Sequence, residues 1–290
     1  MPRHMTRSLG ALASALALAV LTAACSPSAP QAGNDKTKDS QHSTGPGSTD
    51  GTADPSAPPP PAAGECRQLG YGDISVFTDE TPPISCTKPH TAYTFDVKDL
   101  PADIAFTGVQ IENDAVQGFA GDSCRTSFAR FIGGDAADRA LSRLTVTYFV
   151  PDQRHFDRGA HWVRCDVIAL ESANVLAELP RKLSGILDDK NSPARFGVCS
   201  QAEPGTPGPA LVMCGEDHAY RALAALRLGG TDAPYPGERA AKVDGRQRCE
   251  DFVDEALGPG GGYTYTWTYP LPSDWQTGQR FGYCWLKTTD

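Results

Sequence analysis

The stretch Leu144-Thr145-Val146-Thr147-Tyr148-Phe149-Val150-Pro151 returns near the C-terminus as Tyr263-Thr264-Tyr265-Thr266-Trp267-Thr268-Tyr269-Pro270. In both, large apolar or aromatic residues alternate with threonines, and a proline closes the run. Alternation at period two in β-branched and aromatic residues predicts a half-buried strand, and proline ends it because it lacks the ladder donor. Working outward, the match continues. Phe156 and Trp275 stand three residues before Gly159 and Gly278, and each glycine lies six residues before a cysteine, Cys165 or Cys284. That cysteine sits in a final predicted strand, Trp162 to Leu170 or Phe281 to Lys287.

Upstream, Cys124 and Cys249 each lie in a helical pattern. Val116, Ala120, Cys124, Phe128 and Phe131 share one face, as do Cys249, Phe252, Val253 and Ala256. Further upstream, Cys86-Thr87-Lys88-Pro89-His90 answers Cys214-Gly215-Glu216-Asp217-His218, and Gly64-Glu65-Cys66 answers Gly197-Val198-Cys199. Eight cysteines thus form two ordered sets of four, with intervals of 20, 38 and 41 residues and then 15, 35 and 35. The chain reads as two tandem homologous α+β domains, over residues 64–175 and 190–290, each β-β-β-α-β-β. Four cysteines allow three pairings per domain, and eight allow 105. The favoured set is Cys66–Cys86, Cys124–Cys165, Cys199–Cys214 and Cys249–Cys284. It would clip two neighbouring strands and pin the helix to the last strand in each copy. Partners alternating across the copies would defeat the two-domain reading.

The N-terminus places this unit in a compartment. Arg3 and Arg7 precede the uncharged run Ser8 to Ala24, the pattern of a signal peptide over residues 1–24. Leu21-Thr22-Ala23-Ala24-Cys25 resembles a bacterial lipobox, with Thr22 where an aliphatic residue is usual, and predicts lipidation of Cys25. Residues 26–63 are rich in Ser, Pro, Gly, Thr and Ala, with the run Pro58-Pro59-Pro60-Pro61. Such a segment buries too little to offset its ordering entropy and predicts a disordered linker reaching about 35 Å. The net charge is −9. An acidic chain argues against nucleic acid and anionic lipid as direct ligands. The expected location is the outer face of the cytoplasmic membrane, lipid-anchored.

The ordered elements above resemble the septum-formation domain family of actinobacterial surface proteins. The Gly-x-Cys start, Cys86-Thr87-Lys88-Pro89-His90, the helix with its cysteine, the strand ending in proline, the aromatic before glycine and the fourth cysteine carry the likeness. The second copy departs from it, with Asp217 where proline is expected. The resemblance implies an extracytoplasmic domain linked to septum formation, with no reaction attached.

For catalysis, Gly-x-Ser-x-Gly and Ser-x-x-Lys are absent, and pairing accounts for all eight domain cysteines. Gly258-Pro259-Gly260-Gly261-Gly262 joins a helix to a strand, the reverse of a phosphate loop. Asp188-Asp189 lacks calcium-loop spacing. His155, Asp157 and His161 could bind zinc, but Arg158 intrudes and the second copy has no histidine there, so the segment reads as a solvated turn. The row Tyr263, Tyr265, Trp267, Tyr269 could stack on sugar rings. Its counterpart Leu144, Val146, Tyr148, Val150 argues for core instead, with the tyrosine hydroxyls at the rim. His90 and His218 are the histidines shared by both copies, either contacting a ligand or ordering the turn after a disulfide. The candidate contact residues are His90, His218, Phe156 and Trp275. The expectation is a non-catalytic binding protein with no cofactor or metal, tethered to the membrane, whose partner is a cell-envelope protein or a wall polymer. The alternative is an envelope enzyme or metal-binding protein with its site between the copies.

Overall fold

Each half of the chain winds antiparallel strands around one long helix. The structure, a computed structural model, describes residues 57–106, 108–206 and 210–288. The expected signal peptide, Cys25 and most of the expected linker lie outside them. The first half runs β1 (Cys66–Arg67), β2 (Ala92–Asp99), α1 (Asp114–Ile132), α2 (Ala136–Ala140), β3 (Leu144–Phe149), α3 (Gln153–Asp157), β4 (Trp162–Ser172) and β5 (Val175–Leu176). The second runs α4 (Ser192–Phe196), β6 (Val198–Ser200), β7 (Leu211–Met213), β8 (Tyr220–Arg227), α5 (Gly245–Leu257), β9 (Tyr265–Thr268), α6 (Pro272–Gln276) and β10 (Phe281–Lys287). The first sheet has the order β1-β2-β4-β3, with β5 on β4, and the second has β7-β6-β8-β10-β9. The molecule is therefore of mixed α+β class, with two sheets whose shared strands follow one order.

The likeness reaches the irregularities. In β2 the register to β4 skips Phe95, so Thr94 faces Asp166 and Asp96 faces Cys165. In β8 the register to β10 skips Leu223, so Ala222 faces Trp285 and Ala224 faces Cys284. Each bulge sits beside the cysteine that binds the long helix. Gly159 and Gly278 both take a positive φ, 94° and 95°, which lets the chain turn from the short helix into the final strand at little steric cost. One difference is that the second strand expected before β2 shrinks to a single bridge, Cys66 with Ile84.

The four disulfides are Cys66–Cys86, Cys124–Cys165, Cys199–Cys214 and Cys249–Cys284. Cys124, Cys165, Cys249 and Cys284 are fully buried, so two of the bridges run through the helix–sheet cores. Helix α1 starts at Asn113, whose side chain accepts from Ala115 N at 2.8 Å, and stops at Gly133 with φ 79°. Beyond it, Gly134 N donates to Asp188 Oδ1 at 2.8 Å, so Asp188 closes this helix end. Val116, Ala120, Cys124 and Phe128 are buried as the spacing predicts. In α5, Cys249 and Val253 are buried, but Ala256, in the last turn of the helix, is exposed.

The segment between the expected domains is not a spacer. Ala177, Leu179 and Leu183 join Phe128, Ile132, Leu144 and Val167 in one buried cluster, which also takes Phe196 and Met213 from the second half. Arg143 N donates to Phe196 O at 2.7 Å, and Val198 N donates to Leu141 O at 3.0 Å. The described residues fall within one compact unit. Among the described residues, no helix is long and apolar enough to cross a membrane.

Candidate functional site

The long helices cover the inner face of each sheet, so the outer faces are where the halves can differ. On the first sheet the segment 68–84 lies across the outer face. Leu69 and Ile74 pack there on Ala92, Phe149 and Ile168. Beneath it runs a polar chain. Arg164 pairs with Asp79 at 2.6 Å and with Asp166 at 3.0 Å, its guanidinium 4.3 Å above the Phe149 ring. Thr94 Oγ1 donates to Asp166 Oδ1 at 2.8 Å, and Arg67 donates to Thr94 at 2.8 Å and to Glu65 at 2.6 Å. Burial pushes the Asp166 carboxyl above its ordinary pKa against the pull of Arg164, Thr94 and Arg67. Charges this deep persist only when paired, and this set is closed to ligands.

On the second sheet the register puts different residues in these places. Arg164 and Asp166 flank Cys165; Tyr283 and Trp285 flank Cys284. Thr268 stands opposite Tyr283 in β10, and Ala222 stands opposite Trp285 in β8. The covering segment is shorter, since Cys199 to Cys214 spans 15 residues where Cys66 to Cys86 spans 20. The turn Ala140–Arg143 of the first half covers one end of this face, with Tyr283 Oη donating to Ala140 O at 3.2 Å. Beside that contact lies a cavity of about 490 Å³, walled by Tyr269, Phe281, Tyr283 and Trp285, with Arg143, Asp274 and Gln279 among its polar lining. Trp285 Nε1 donates to Thr268 Oγ1 at 2.8 Å, and the Tyr283 and Trp285 rings are 5.8 Å apart. Burial raises the Tyr283 hydroxyl pKa, and Arg143 works against that rise. Burial also lowers the pKa of Arg143, whose Nε donates to Leu170 O at 2.8 Å.

The four residues singled out from sequence lie elsewhere. His90 is 1% exposed; its Nδ1 lies 2.9 Å from Lys88 O, while Nε2 has no partner among the described residues. His218 repeats the arrangement half-buried, with Nδ1 2.7 Å from Glu216 O. A carbonyl only accepts, so Nδ1 carries the proton in both, and both rings order the turn after a disulfide cysteine. Phe156 is fully buried against Val116, Ala120 and Val163. Trp275 is buried too. Its Nε1 donates to Ala233 O at 2.8 Å, and Arg280 lies 4.4 Å over its ring. Contact with a partner needs a free ring face, and burial removes it from Phe156 and Trp275. They anchor α3 and α6 instead.

Of the aromatic row, Tyr265 and Trp267 pack under α5, and Tyr269, just past β9, reaches the cavity. The short helix α3 stands where a turn was expected. His155 there meets Asp152 and Glu80, whose ligand-type atoms lie within 4.8 Å of one another. Asp157 takes its bond from Gln153, and the His161 ring bonds Phe156 O at 3.1 Å, so the trio His155, Asp157 and His161 weighed for zinc does not converge. Burial raises the Asp152 pKa, but the His155 N–H and its neighbours outweigh this and leave the carboxyl below its usual value. The sequence signal for the cavity lay in the short 15-residue interval and in Tyr283 and Trp285 flanking Cys284.

No curated protein and no solved structure matches this chain. The family model described as "Septum formation" matches residues 135–284, just over half of the 290-residue chain. That span runs from the cap of α2 to the cysteine of β10 and takes in both sides of the cavity. On this match, the chain belongs to the septum-formation family.

Proposed function

We propose that the protein is an extracytoplasmic lipoprotein that acts by binding, without catalysis, in septum formation. Lipid on Cys25 holds it to the outer face of the cytoplasmic membrane, and the linker 26–63 sets its folded part off the surface. The folded part is a pair of homologous α+β domains fused through a common core, in a lipoprotein of the actinobacterial type. Its partner is a cell-envelope protein or a wall polymer.

The family match over residues 135–284 is the observation that carries this reading. Four disulfides fit an oxidising compartment outside the cytoplasm. The common strand order and the paired bulges support descent of the halves from one unit. A fluorescent fusion followed in dividing cells tests it. Gathering at the division site is expected, and Cys25→Ala should release the fusion from the membrane fraction. Uniform display in dividing cells would refute the septal role, and a Cys25→Ala protein that stays membrane-bound would refute the lipid anchor.

A further inference from the structure

The two outer faces differ in one physical respect: the first is sealed over paired charges, and the second is left partly open over aromatic rings. We propose that the cavity on the second sheet binds one or two units of a neutral sugar chain. This deepens, and rests on, the reading that the partner is an envelope polymer. The cavity volume of about 490 Å³ falls within the range of small-ligand sites. Its walls include the half-buried rings of Tyr269, Phe281 and Tyr283, whereas Trp285, 3% exposed, leaves no free face. Tyr283 Oη spends its donor on Ala140, so what that ring offers inward is apolar surface. Flat aromatic surface suits the C–H faces of a pyranose.

The polar lining sets the charge of the occupant. Arg143 and Asp274 bring one charge of each sign, and Gln279 adds an amide that both donates and accepts. Hydroxyls can serve all three. An acidic sugar would meet Asp274 and gain little from Arg143, whose Nε is already bound to Leu170 O. A metal ion would find a single lining carboxylate. An extended peptide is captured along a sheet edge, whereas this cavity lies over a sheet face. The walls stand on β10, on the end of β9 and on the turn 140–143 of the other half, so the geometry is set by both sheets before any ligand arrives.

The test titrates the full-length protein with N,N′,N″-triacetylchitotriose and with maltotriose by calorimetry, with a trigalacturonate as the acidic comparison. Tyr269→Ala and Gln279→Ala are run beside it. Saturable binding of at least one neutral trisaccharide is expected, weakened about tenfold by either substitution. Gln279 is exposed and its replacement should leave thermal melting unchanged, so lost binding there cannot be lost folding. Absence of saturable binding by both neutral sugars, binding that both variants leave intact, or preference for the acidic sugar would each overturn the assignment. A fusion that still gathers at the septum while both neutral sugars fail would overturn the sugar assignment alone and leave the binding-protein reading standing.

Discussion

Arg164→Met should be among the most damaging single substitutions in the first half. Arg164 is 1% exposed and is held by two carboxylates, Asp79 at 2.6 Å and Asp166 at 3.0 Å. Methionine fills much of the same volume and keeps contact with Phe149, so the change isolates the lost charge. It leaves Asp166, fully buried, with only the Thr94 hydroxyl. Removing one member of a buried pair costs about 3–5 kcal/mol, because the remaining charge stays desolvated. Guanidinium-chloride unfolding with disulfides intact, followed by tryptophan fluorescence, measures this directly. The triple variant Arg164→Met, Asp166→Leu, Asp79→Leu removes all three charges and should return to within about 2 kcal/mol of the natural protein. The second sheet already carries Tyr283 and Trp285 at the places of Arg164 and Asp166. The pH dependence has a definite sign. In Arg164→Met the folded-state pKa of Asp166 rises further above its unfolded value. A raised carboxyl favours the fold below the unfolded pKa and loses that advantage as pH rises through the folded pKa. The deficit of the variant should therefore shrink as pH falls from 7 toward about 4. A cost under about 1 kcal/mol at pH 7, or a deficit that ignores pH, would refute the reasoning.

Other outcomes follow from the same structure. Replacing Cys124 and Cys165 by alanine opens a loop of 41 residues and should cost about 4 kcal/mol, against about 3 kcal/mol for the 15-residue pair Cys199 and Cys214, measured by the same unfolding assay. Asp135→Ala removes the acceptor for Ala137 N and Asp138 N and should cost about 1 kcal/mol at neutral pH. The Asp138 N–H chiefly holds the Asp135 carboxyl below its ordinary pKa, so this advantage is lost as pH falls through that lowered value, and melting at low pH should bring variant and parent together. Trp275→Ala should cost about 3–5 kcal/mol by emptying the site against Tyr235 and Arg280, and a melting temperature close to the parent's would show the ring to be dispensable packing.

Much of the fold could be read along the chain because its signals are local. Alternation around Val146 and Tyr265 marks strands, the spacing of Val116, Ala120 and Cys124 marks a helix, and Gly159 and Gly278 mark turns with positive φ. The favoured disulfide pairs depended on those elements being neighbours, and they are. Reading the site went less far. Phe156 and Trp275 attracted attention because they stand at matching places, and in both halves that place holds a buried anchor. His90 and His218 repeat for a similar reason, as paired turn-formers. Glu80 could not be linked to His155 from sequence, since 68–84 reaches it only after folding across the sheet.

The order of elements, the two matching runs and the cysteine sets are properties of the sequence by itself, because periodicity and spacing act over a few residues at a time. What lies over each outer face was decided only in three dimensions. The segment 68–84 seals the first sheet, the turn 140–143 of that same half closes only part of the second, and the space left over becomes the cavity. No local pattern encodes that remainder. It depends on how two sheets dock through Phe196, Met213 and Leu141, and docking is settled by long-range packing rather than by neighbours in the chain.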